Sequence, residues 1–217
     1  MTLLTTLKRS QIMTNLKCLN EQNGADVVCA KYEKDILEKF KTDLIGTIFG
    51  VPYGGDVERL AKIWGEKGKI YGYDTFEGHP KQLSDDVNSF EATCMDFWYQ
   101  TLGTDKLKIE YQRAELDKMG LTNTFLVKGL INKDSCKDLD HINYAFIDLD
   151  ILASMKSGYE AVKDKLVEGG ILIMHDINNI QTLIPWYEKE IKKDPTWEVV
   201  EEYNSLTGVL RKKHGNH

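Results

Sequence analysis

A chain of 217 residues suits one domain with a sizeable core, and 41% apolar with 29% charged residues is the balance of a globular protein rather than of a disordered or membrane-spanning one. A net charge of −6 provides no positive field for a phosphate backbone, which argues against a nucleic-acid partner. With no apolar run long enough to span a bilayer and a polar, basic Met1–Leu19 in place of a signal peptide, the expected setting is the cytoplasm, away from membranes.

Four scattered cysteines, Cys18, Cys29, Cys94 and Cys136, lack C-x-x-C spacing and read as reduced packing residues. The first 43 residues form an N-terminal helical segment in this reading. Thr2–Lys17 is one candidate helix, and Tyr32–Lys41 is a clearer amphipathic one that buries Ile36, Leu37 and Phe40.

Leu44–Phe49 is short, apolar and β-branched, and it runs into the glycine turn Gly50-Val51-Pro52-Tyr53-Gly54-Gly55. Asp56 is placed to cap a helix ending at Trp64, whose buried side carries Val57, Leu60, Ala61 and Trp64; Gly65 and Gly68 close it. Lys69–Tyr73 is the next strand, with Asp74 at its carboxyl end. In a β-α-β unit such glycines admit a ligand to the helix N-terminus, and an acid some 20 positions on accepts ribose hydroxyls. The spacing is G-x-x-x-G-G, not G-x-G-x-x-G, which disfavours a pyrophosphate. The same glycines would also serve a turn that only relieves backbone strain.

From Lys81 the strand-helix alternation lapses. Residues 81–119 read as a helical lid, one helix from Ser84 to about Leu102 and another over Asp105–Met119, although their aromatics are equally suited to a core. Strands follow at Phe125–Lys128 and at Asn143–Asp148, the second ending in Asp148-Leu149-Asp150. Ser154–Leu166 is a helix stopped by Gly169-Gly170, and Ile171–Met174 is a strand that delivers His175-Asp176. Asp148, His175 and Asp176 thus end two strands and could hold a divalent cation, Mg²⁺ first. His175 is alternatively a base, or a strand-end histidine bonded to backbone. A helix at Trp186–Ile191 and strands at Trp197–Tyr203 and Thr207–Arg211, an antiparallel edge hairpin, complete an α/β, Rossmann-like, mostly parallel doubly wound sheet spanning residues 44–211; residues 212–217 are a tail.

The pair GVPYGG and YGYDTFEGHP resembles the class I S-adenosylmethionine-dependent methyltransferases of the macrocin O-methyltransferase-like family, which read E-x-G-V-W-R-G-G and D-[ST]-F-E-G-L-P. Ile48 stands where that pattern has its acid, Leu149 replaces the glycine of D-G-D, and His175-Asp176 replaces Asp-Asp. After the Phe125–Lys128 strand, Gly129-Leu130-Ile131-Asn132 resembles the family's V-K-G-x-F segment. The resemblance implies cofactor contacts from Gly50, Val51, Tyr53, Gly54, Gly55, Asp74, Thr75, Phe76, Gly129 and Asp148, catalysis by Asp148 and His175, and a metal on Asp148, His175 and Asp176. It further implies O-methylation of a small-molecule hydroxyl, first a natural-product sugar, by S-adenosylmethionine with or without Mg²⁺, and leaves a homo-oligomer open. The alternatives are a nicotinamide-dependent oxidoreductase and an inactive cofactor-binding or assembly subunit.

Overall fold

The computed structural model describes residues 25–78, 103–178, 180–203 and 207–214. The expected helices at Thr2–Lys17 and at Ser84–Leu102, with Cys18 and Cys94, lie outside them.

Seven strands form one sheet in the order β3-β2-β1-β4-β5-β7-β6. They are β1 Leu44–Phe49, β2 Gly68–Asp74, β3 Thr124–Lys128, β4 Ile142–Ile147, β5 Leu166–Met174, β6 Trp197–Tyr203 and β7 Thr207–Lys212. The first five run parallel, and β7 lies antiparallel between β5 and β6. The sheet therefore ends in the expected hairpin.

Both faces of the central strands are apolar, as a sheet covered on both sides requires. Ile48, Tyr144, Phe146, Ile171 and Ile173 meet α1 (25–40), α2 (Gly55–Trp64) and α3 (Ile109–Lys118) on one face. Phe49, Ala145, Ile147, Leu172 and Met174 meet α4 (Leu152–Val162) and α5 (Leu183–Trp186, running on into a π turn at Tyr187–Ile191) on the other.

Several boundaries differ from expectation for local reasons. Helix α1 is already formed at Ala25, a full two turns before Tyr32, because Ala25, Val28 and Cys29 continue its buried stripe. Helix α2 is capped by Gly54 in the left-handed conformation, φ 79°, without any side-chain cap; Asp56 sits inside its first turn and pairs with Arg59 at 2.7 Å. Helix α4 ends at Val162 rather than Leu166, and Gly169-Gly170 lie within β5 beside an irregularity in its pairing with β4. Residues 109–118, expected as the second lid helix, bury Gln112 and Leu116 against the sheet as the crossover from β2 to β3.

A buried ionic cluster pins α1 to α2. Arg59 reaches Glu33 at 2.9 Å and Asp26 at 2.7 Å, with the Glu33 carboxylate wholly inside. Burial raises the Glu33 pKa and Arg59 opposes it; such a pair costs desolvation of both ions and holds helix placement more than it adds stability.

Candidate functional site

The carboxyl edge of the parallel strands is drawn into one line by backbone hydrogen bonds that continue each ladder one residue past its strand. Gly50 N–H donates to Tyr73 O at 3.0 Å, Asp148 N–H to Phe49 O at 2.9 Å, His175 N–H to Ile147 O at 3.0 Å and Gly129 N–H to Asp74 O at 2.9 Å. Gly50, Asp74, Gly129, Asp148 and His175, named from separate stretches of sequence, thus share one rim. This is where an open α/β sheet places its ligand crevice.

At the glycine turn, Gly50 (φ 87°) and Gly54 (φ 79°) occupy the left-handed region that other residues adopt at a cost. Gly55 is different, since a Cβ built there meets nothing within 4 Å and its φ is ordinary. Exposed Gly55 opens α2 at this rim, and the N-cap Gly54 offers no side-chain acceptor to the N–H groups of the first turn.

Asp74 holds that turn. Its Oδ2 accepts from Val51 N–H at 2.6 Å and its Oδ1 from Phe76 N–H at 2.7 Å, with the Thr75 hydroxyl at 3.3 Å. Each oxygen keeps a second lone pair, so the carboxylate can order the turn and still accept ribose hydroxyls. Thr75 donates to Gly78 O at 2.7 Å, and Phe76 is buried with a left-handed φ of 55°. Tyr53 turns a buried hydroxyl inward that has no partner among the described residues.

Across the β4–β5 edge, His175 Nδ1 lies 2.9 Å from Asp176 Oδ2 and 3.3 Å from Asp148 Oδ1. Asp176 takes a left-handed φ of 55°, strain that turns its carboxylate back onto the preceding imidazole. Burial works against a charged imidazole, but Asp176 and then Asp148 outweigh it, and the His175 pKa is raised well above its usual range. Burial also raises Asp148, to about 6, with His175 pulling the other way. Nε2 of His175 is buried without a hydrogen-bond partner among the described residues.

The three groups offer ligand atoms within 4.8 Å of one another. Two carboxylates and one imidazole suit a borderline divalent cation such as Mn²⁺ better than Mg²⁺, which prefers oxygen and water alone. A cation there would have to displace the proton shared by Nδ1 and the carboxylates. Ile48, at the position of the family's acid, is wholly buried beneath α2, and Leu149 packs against the opposite core.

One residue escaped the sequence reading. Gln112 of α3 is buried and donates its side-chain amide to Val51 O at 2.9 Å and Pro52 O at 3.0 Å, gripping the glycine turn from below. The only available signal was a glutamine on a helix face that periodicity assigns to the core.

The chain shares its fold with solved methyltransferases. The solved O-methyltransferase NovP is similar over 88% of this chain and 80% of its own, with a TM-score of 0.66 at 16% identity. CalS11, a TDP-rhamnose 3'-O-methyltransferase of calicheamicin biosynthesis, matches over 88% and 80% with a TM-score of 0.55 at 18% identity. An rRNA methylase from Streptococcus thermophilus matches over 83% and 94% with a TM-score of 0.52 at 18% identity. No family model and no curated protein sequence matches. Among the described residues no helix is long and apolar enough to cross a membrane.

Proposed function

We propose that the chain is an S-adenosylmethionine-dependent O-methyltransferase acting on a small-molecule hydroxyl, with a sugar moiety of a natural product as the first acceptor class. The observation that carries this reading is the single rim on which the Gly50–Gly55 turn and Asp74 face the Asp148–His175–Asp176 cluster. One side suits a ribose and an amino-acid tail; the other suits a hydroxyl that must lose a proton. The likeness to NovP supports O-methylation, that to CalS11 supports a sugar acceptor, and the net charge of −6 favours a small molecule over RNA.

When bound, S-adenosylmethionine supplies an electrophilic methyl group on a sulfonium. The residues here would orient it. Asp74 would hold the ribose hydroxyls, and the N-terminus of α2 would favour the anionic end of the amino-acid tail. The carboxylate of Asp148 would accept the proton that the acceptor hydroxyl must lose on methylation. His175, kept protonated by Asp176 and Asp148, stabilises negative charge developing on the acceptor oxygen rather than acting as the base. Where a divalent cation is bound by Asp148, Asp176 and His175, it would lower the hydroxyl pKa instead. Collinear alignment of the reacting atoms is the main contribution, worth up to about 7–11 kcal/mol in well-oriented systems.

The test is calorimetry with S-adenosylmethionine, S-adenosylhomocysteine and NAD, followed by methyl transfer from labelled cofactor to a panel of nucleotide sugars and to ribosomal RNA. Binding of the first two and labelling of a sugar supports the proposal. Binding of NAD alone would replace it with an oxidoreductase, labelling of RNA alone would replace the acceptor class, and binding without transfer to any acceptor would leave an inactive cofactor-binding subunit.

A further inference from the structure

We propose that Gln112 is a positioning residue for the cofactor turn: its amide, rather than the glycines alone, aims the Tyr53 N–H and the N-terminus of α2 at the ligand. The proposal rests on the S-adenosylmethionine reading above. It adds to that reading a residue from α3, an element that sequence pattern assigned to a lid.

The geometry is specific. Gln112 is 2% exposed, and its Nε2 donates to the carbonyls of Val51 at 2.9 Å, Pro52 at 3.0 Å and Leu107 at 3.2 Å. A nitrogen is required at that position, because an amide oxygen amid three carbonyls would be repelled by all of them. The amide oxygen must then point the other way. There it lies 3.3 Å from where a Cβ on Gly54 would be, close-packed on that glycine and with no donor among the described residues.

The consequence for the turn follows from peptide geometry. A trans peptide sends its carbonyl and the next N–H to opposite sides, so tying Pro52 O to α3 turns the Tyr53 N–H away from α3. Pro52 itself carries no N–H, so the Val51 carbonyl is fixed without committing a donor. Val51 is held twice, its carbonyl by Gln112 and its N–H by Asp74 Oδ2 at 2.6 Å. The turn is therefore suspended between an amide on α3 and the carboxylate that would receive the ribose. Gly54 supplies the left-handed bend and the space for the amide oxygen.

S-adenosylhomocysteine is the probe, titrated calorimetrically into wild type, Gln112→Met, Gln112→Leu and the control Leu116→Ala, which weakens the same helix from its other buried residue without touching the turn. Gln112→Met keeps the length and volume of the side chain and removes only its hydrogen bonds. The expected result is binding at least tenfold weaker in both Gln112 variants, at a temperature where circular dichroism shows them folded, with Leu116→Ala near wild type. Equal affinity in the Gln112 variants and wild type overturns the positioning role and leaves the cofactor assignment standing. Equal weakening in all three variants overturns it too, since the effect would belong to the helix and not the amide. Failure of the wild type to bind overturns both readings. Should neither Gln112 variant fold, exchange of the Gln112 side-chain amide protons in wild type decides: protection supports the clamp, and exchange as fast as that of exposed glutamines overturns it.

Discussion

The α-carbon of Gly50 rests against the carbonyl of Asp148, so closely that a Cβ at Gly50 would stand 1.9 Å from that oxygen. The glycine turn and the proposed base are thus in direct backbone contact. Gly50→Ala must either move Asp148 or distort the turn, and it also places a side chain at φ 87°. A loss of about 2–4 kcal/mol is expected, overpacking and left-handed strain together, measured by urea denaturation. Stability equal to wild type would show that the rim yields without cost.

Gly55 offers the opposite test. Since nothing lies within 4 Å of its missing Cβ, Gly55→Val should fold as wild type does and change stability by no more than about 1 kcal/mol. Cofactor affinity should nevertheless fall at least tenfold, because the branched side chain occupies the approach to the α2 N-terminus. Unchanged calorimetric affinity would move the ligand away from that helix end.

For Asp74 the expected outcome is a double loss. Asp74→Ala strips acceptors from the N–H groups of Val51 and Phe76, costing about 1–3 kcal/mol of stability, and removes the ribose contact. Asp74→Asn keeps one acceptor but turns an amide NH2 onto the other backbone N–H, so it should recover only part of the stability and little of the cofactor affinity. If both variants bind like wild type, the ribose is held elsewhere.

The histidine cluster predicts a direction with pH. His175 has a folded pKa raised above its ordinary value, so the stability it contributes is present below about 6.5 and is lost as the pH rises through the raised value. Asp148, raised to about 6, changes in the same sense, its contribution disappearing as the pH climbs through that point. Denaturation of wild type and His175→Ala across pH 5 to 10 should show the wild-type advantage greatest at the acid end and shrinking upward. An advantage that grows with pH would mean that the imidazole is held neutral.

A cation would reverse part of that picture. If Mn²⁺ binds Asp148, His175 and Asp176, it should raise the melting temperature with the logarithm of its concentration, a stabilisation of about 2.7 kcal/mol at a hundred times the dissociation constant, more strongly above pH 7 than below. Asp176→Asn should abolish the shift. No shift with Mn²⁺ or Mg²⁺ in the wild type would leave the proton as the cluster's only cation.

What sequence made legible was the end of each strand. Gly50, Asp74, Asp148 and His175 follow apolar runs whose length and branching mark them as strands, and a polar residue directly after such a run has the rim as its natural place. Strand order was not legible, because it depends on which edges pair and no local pattern encodes that. Gly169-Gly170 misled because glycine ends helices and relieves strand irregularities equally well, and Asp56 misled because Arg59, three residues on, competes for the carboxylate that would have capped α2. Gln112 was invisible for a plainer reason: its partners on the glycine turn are main-chain carbonyls some 60 positions away, which leave no mark on side-chain pattern.

The seam between β1 and β4 has a bearing on how the chain folds. Ile45 N–H is met by the Asn143 side chain at 2.8 Å across 98 positions of sequence, and the same seam sets Gly50 beside Asp148. Closing so long a loop costs entropy before any contact repays it. The glycine turn with Asp74 can form within its own β-α-β unit, and the Asp148–His175 cluster within another. Their apposition waits for the two halves to dock, so a folding intermediate arrested before that step would carry each half of the rim and no site.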